Sequence, residues 1–179
     1  ASWSRGLGDV YKRQHQQLAS YDHVGTTLFN LAVNPITGEL LVSNTDANNA
    51  TRFEGPGEFA GSTVQGNIAR SRITVIEPDT GRVKARHLNR HIDYQNLKGN
   101  SSNKEHSLST PLQLAIDQTG NSIYTAVIGS DKIAVHSSSA LSNDDLWDGT
   151  AEEFSSIEAS QRFINVPGGP AGLLLNETS

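Results

Sequence analysis

Two groups of polar residues are candidates for binding or catalysis. The first is His87, His91 and His106. His87 and His91 stand in "RHLNRHIDY", residues 86–94, the densest polar cluster of the chain. Histidines four apart on a helix would face one metal ion, but His87 closes an alternating strand-like run, so helical geometry is not expected there. With His106 they could still converge in a loop, to bind a metal or to hydrogen-bond; hydrogen bonding is the reading adopted. The second group is Asp46, Asn48, Arg52 and Glu54. Asp46-x-Asn48 opens like a calcium loop, but Ala50 breaks the alternation such a loop needs. Arg52 and Glu54 are placed to anchor their loop by a salt bridge. These seven are the candidate binding residues. No metal ligand set and no catalytic residue is assigned.

Other polar stretches carry less. Residues 142–160 hold Asp144, Asp145, Asp148, Glu152 and Glu153, which read as a solvated acidic loop. Thr150 and Glu153 fit a capping box, so a short helix is expected near 151–158. "PGGPAG" at 167–172 lacks the strand-to-helix setting of a phosphate loop and reads as a junction between units. Neither a Ser-His-Asp set nor a nucleophile elbow is found.

Composition and repetition indicate the secondary structure that carries these residues. Only 35% of the 179 residues are apolar and 6% aromatic, while Gly numbers 16. That balance suits a turn-rich all-β chain. The net charge of −5 argues against nucleic acid as a partner. Cys is absent, which excludes disulfides, thiol nucleophiles and C-x-x-C-H haem attachment within this sequence. No apolar run reaches membrane-spanning length.

The chain repeats itself. "TLFNLAVNPITGELLVSN" (27–44) and "TPLQLAIDQTGNSIYTA" (110–126) share a Thr start, Leu-Ala and a β-branched residue, Asn34 or Asp117, and a turn closed by Gly38 or Gly120. A third start lies in "GGPAGLLLNETS", where Pro170, Leu173 and Asn176 match Pro111, Leu114 and Asp117. Pro78-Asp79-Thr80-Gly81 supplies a hairpin turn. Strands are predicted near 28–34, 39–44, 72–77 and 82–88, then 112–117, 121–128, 132–137 and 161–166. Four-stranded units in tandem are propeller blades. The fold class expected is all-β, an incomplete β-propeller: about two four-stranded blades (24–88 and 110–166) and the start of a third from about 170. A generic antiparallel sandwich is the alternative. Two insertions, 45–71 and 89–109, interrupt the blade pattern and carry the candidate residues on connecting segments, where function concentrates.

"LAVNPITGELLVSN" followed by "ITVIEPDTGRV" resembles the YVTN-type β-propeller repeat, with "LLVSN" (40–44) and "TVIEPDTG" (74–81) as its second and third strands and "SIYTAVIGSDKIAVHSS" (122–138) repeating both. The resemblance implies a periplasmic or extracellular binding or scaffold module, serving redox partners such as a cytochrome c-type protein. The alternative it implies is part of a propeller enzyme, either an oxidoreductase fused to cytochrome c or a lactonase-like metal hydrolase. No cofactor is expected in this chain; haem would belong to a further domain.

"SRGLGDVYKRQ" (4–14) shows neither helical nor strand periodicity. Its eleven residues are those that translation of a sequencing-library transposase adapter gives. Residues 1–14 are therefore read as non-native and adapter-derived, with residues 15–179 as a partial propeller domain in an environmental fragment. Removing Arg5, Asp9, Lys12 and Arg13 with that segment shifts the net charge from −5 to −7.

Overall fold

The computed structural model describes residues 18–49, 67–92, 101–143 and 162–176, without the side chains of 101 and 102. The expectations for residues 1–14, for Arg52 and Glu54, for the acidic cluster and for the 151–158 helix lie outside these residues.

Eight strands form: β1 (Thr27–Val33), β2 (Leu40–Ala47), β3 (Ala69–Glu77), β4 (Arg82–His87), β5 (Pro111–Ile116), β6 (Ser122–Val127), β7 (Lys132–Ser137) and β8 (Arg162–Asn165). Two short helices, α1 (Ser101–His106) and α2 (Ser138–Ser142), are added. The chain is all-β in class: two four-stranded antiparallel sheets, β1-β2-β3-β4 and β5-β6-β7-β8, each in simple up-and-down order. All eight expected strands are present.

Turn chemistry explains the short connections. Asn34 Oδ1 accepts the N–H groups of Ile36 and Thr37 at 2.9 and 3.1 Å, and Gly38 takes φ +74° to re-enter β2. Asp117 plays the same part before β6, accepting from Asn121 N–H at 2.8 Å and Ser122 N–H at 3.1 Å. These hydrogen bonds hold its carboxyl below the ordinary carboxylate value against a raising effect of burial. Gly120 matches Gly38 at φ +70°.

The two sheets agree residue by residue. Leu40 opposite Ile76 in the first corresponds to Ile123 opposite His136 in the second. A register shift interrupts β1–β2 between Leu28 and Asn30, and one interrupts β5–β6 between Pro111 and Leu114. One face of the first sheet meets one face of the second. Leu41, Ile73 and Val75 share a core with Leu114, Ile123, Val127, Ala134 and Leu141. The opposite face of the first sheet is covered by the segment ahead of β1, where Val24 and Tyr21 pack on Leu40, Val42, Ile76 and Val83.

Two boundaries differ from expectation. β2 and β3 run longer, so the first insertion narrows to 48–68, and Asn48 N–H bonds Ile68 O at 2.8 Å where the pair opens out. Polar residues with partners across the strand extend a ladder that apolar alternation alone cannot reveal. α2 follows β7 without a break, its first turn capped by Ser137, whose hydroxyl accepts from Ala140 N–H.

A close approach fixes the covering segment. A Cβ on Gly25 would stand 2.4 Å from Oδ1 of the buried Asn44. Asn44 is held by hydrogen bonds, donating to Thr74 Oγ1 and accepting from Arg72 Nε, which a shift of its side chain would break. Gly25→Ala is expected to cost about 1–3 kcal/mol in urea unfolding. An unchanged midpoint would show that the segment does not seat on the sheet.

Candidate functional site

In up-and-down sheets, alternate connections leave from the same end. The β2–β3 connection (48–68) and the β4–β5 connection (88–110) therefore share one end, together with the 3-10 turn Ile128–Ser130. Asp46, Asn48, His87, His91 and His106 all lie at this end. The structure places them on three different footings.

Asp46 sits within β2, paired with Arg70, and not in a loop. Its Oδ1 lies 3.1 Å from Arg72 Nη2 and accepts from Thr26 Oγ1 at 3.1 Å. Arg72 is 8% exposed, and burial, opposed by Asp46, lowers the pKa of its guanidinium. The carboxylate that looked like the first ligand of a calcium loop is the counter-ion of a buried arginine.

His87 lies opposite Arg72 on β4 and is 4% exposed. Its Nδ1 is 3.3 Å from Ser71 O and 3.2 Å from the Asn89 N–H, and the ring tautomer decides which of the two bonds is made. Burial pulls its pKa down to about 4, with the charges of Arg70, Arg90 and Arg72 adding to the effect against the Ser71 carbonyl. At neutral pH it is an uncharged imidazole among cations, which suits packing and hydrogen bonding and not proton uptake.

His91 and His106 come together, apart from this arginine cluster. Their rings meet edge to face with centroids 6.1 Å apart, and His106 meets Phe163 in the same way at 6.1 Å. His91 Nε2 is 3.2 Å from Asn103 O. Lys132 Nζ sits 5.1 Å above the Phe163 ring and donates to Glu105 O. This stack fastens α1 to β7 and β8 of the second sheet. Among the described residues no group of three or more His, Cys, Asp or Glu side chains could hold a metal.

Sequence reasoning missed two residues of this end. One is Arg72, which sits in the strand alternation beside Thr74 and Ile76 and could have been found as a charge on an otherwise inward-facing row. The other is Asn89, 7% exposed. Its Nδ2 donates to Leu108 O at 2.8 Å and its Oδ1 accepts from Leu108 N–H at 2.7 Å. One amide thus clasps both ends of the β4–β5 connection, and no sequence signal marks it. Asn89→Ala leaves a buried N–H and C=O unpaired, with an expected cost of about 2–4 kcal/mol in thermal or urea unfolding. A change below about 0.5 kcal/mol would show that the clasp is not formed.

What the arrangement offers is a braced platform with two insertions on one rim. No protein-family model and no curated protein matches the chain. Among solved structures the chain is similar to one described as Kuenenia stuttgartiensis Hydrazine Synthase, with TM-score 0.61 and 15% identity over 83% of this chain. The chain spans 39% of that structure's length, and at this identity the likeness is one of fold.

Proposed function

We infer that this chain is part of a β-propeller of the YVTN-repeat type, acting outside the cytoplasm as a binding or scaffold module whose partner surface is the rim bearing the two insertions. One observation carries the propeller reading. Asn30 Oδ1, on the first strand of the first unit, accepts the N–H of Leu114 on the first strand of the second, at 3.1 Å. Gln113 Oε1, at the matching position of the second unit, accepts the N–H of Leu173 at 3.1 Å. Leu173 is the residue that the sequence repeat aligns with Leu114. The same bond in the same register means that one unit-to-unit step is applied twice, and repetition of one step is what builds a propeller.

The binding role follows from where the extra chain is spent. Seven of the eight described strands are six residues or longer, and the insertions leave one rim. Rim segments held on a rigid scaffold are where recognition concentrates. A soluble c-type cytochrome is the partner proposed, since the family resemblance points to redox-linked relatives. The likeness to the hydrazine synthase structure supports the fold and carries no activity across.

A loop exchange tests the reading. Residues 48–68 are replaced by the short 128–131 turn that joins the matching strands of the second unit. The exchanged chain is expected to keep its β circular dichroism and cooperative melting, while calorimetric binding of a c-type cytochrome by the native chain is lost. Collapse of the fold on exchange would overturn the scaffold reading. Absence of binding by the native chain would overturn the partner.

A further inference from the structure

We propose that His136 makes the seam between the two sheets acid-labile, so that protonating this one side chain separates the second sheet from the first. His136 is 2% exposed on the face of β7 that meets the first sheet, beside Ala134, Thr125 and Ile123. Among the described residues neither of its ring nitrogens has a hydrogen-bond partner, nor has Thr125 Oγ1. A folded chain rarely leaves three polar atoms unanswered in one packed seam.

Comparison of the two units shows that the fold does not ask for them. The positions matching His136 and Thr125 are Ile76 and Val42, buried at 3% and 5% in the first sheet. At these register positions the first unit presents hydrocarbon to the segment ahead of β1, where Val24 and Tyr21 pack on it. The second unit puts an ionisable ring there.

The charged groups around the seam are occupied elsewhere. On the first sheet's facing surface, Lys84 pairs with Glu77, and Arg86 Nε donates to Leu141 O at 2.6 Å. Arg82 lies opposite Glu77 at the end of the same row. Glu39 accepts from Ser142 Oγ at 2.9 Å. On the second sheet, Lys132 donates to Glu105 O and Asp117 is bound by its own turn. Among the described residues, burial is what draws the pKa of His136 down to about 4 from 6.5. An imidazolium formed there meets no carboxylate among the described residues, so it is accommodated by opening the seam. The inference is independent of how many units the whole protein contains.

Backbone amide exchange on the full chain tests it. The Leu114 N–H bonded to Asn30 reports the seam, and the amides of β3 report global unfolding. Between pH 7 and pH 4.5, corrected for intrinsic rates, Leu114 exchange is expected to rise about 50-fold, the ratio that a shift from 6.5 to about 4 implies. In His136→Ile, which restores the first unit's residue, the rise at Leu114 is expected to fall to whatever β3 shows. Should that variant not fold, His136→Gln, polar but unable to take the proton, is read the same way. A flat Leu114 profile in the native chain, or a full rise in either variant, overturns the proposal.

Discussion

Truncating Leu114 to Ala is expected to lower the unfolding free energy by about 3 kcal/mol, while truncating Leu31 costs under about 1 kcal/mol. The two leucines hold the same place in the repeat, on the first strand of each unit. They differ in what covers them. Leu114 is 5% exposed in the core between the sheets, and Leu31 is 55% exposed. The cost of removing methyl groups follows the apolar area and packing lost, so one substitution at one register position separates local strand formation from packing between units. Ile73 and Ile133 give a second comparison. Ile73 is fully buried against the second sheet and Ile133 is half-buried, so Ile73→Ala is expected to cost the more. Equilibrium urea unfolding of the four variants decides the matter. Equal losses at Leu114 and Leu31 would mean that the two sheets do not pack as described.

Stability is expected to fall steeply between about pH 6.5 and pH 4. His87 and His136 are both drawn down to about 4 in the folded chain, chiefly by burial, from 6.5. The unfolded chain therefore binds the extra protons. The stability they protect is complete above about pH 6.5 and is lost as pH falls toward the folded values. At about 1.4 kcal/mol per unit, each ring accounts for roughly 3 kcal/mol once fully protonated, and together they approach the stability of a whole domain. The carboxyls of Glu77 and Asp117, also held low, lose their contribution only further down, below 4.5 and 3.8. Urea midpoints at pH 7.5, 6, 5 and 4.5 measure the effect. A midpoint that stays constant from pH 7.5 to 5 would show that neither ring is buried in its neutral form.

The strands and their repetition were legible in the order of the amino acids. Leu31-Ala32-Val33 and Leu114-Ala115-Ile116, each followed by a polar turn residue and a glycine, impose strand, turn and strand locally, because alternation and φ > 0 are properties of a few neighbouring residues. The same local rule located β3 and β4 around Pro78–Gly81. It could not say that β2 would run on through Asp46, because that extension rests on Arg72, a residue far along the chain.

The candidate site was legible as a set of polar residues and not as an arrangement. His87, His91 and His106 read as one cluster from spacing. Tertiary structure divided them, setting His87 among Arg70, Arg72 and Arg90 and stacking His91 and His106 on Phe163, since partners across strands and connections are chosen by the topology. Asn89 acquired its role only because the β4–β5 connection brings Leu108 back to it. His136 looked like one more residue in an alternating run. That it is buried with no hydrogen-bond partner among the described residues, at the register position of Ile76 in the first unit, was decided by the packing of one sheet on the other, because burial is a property of the neighbours and not of the strand.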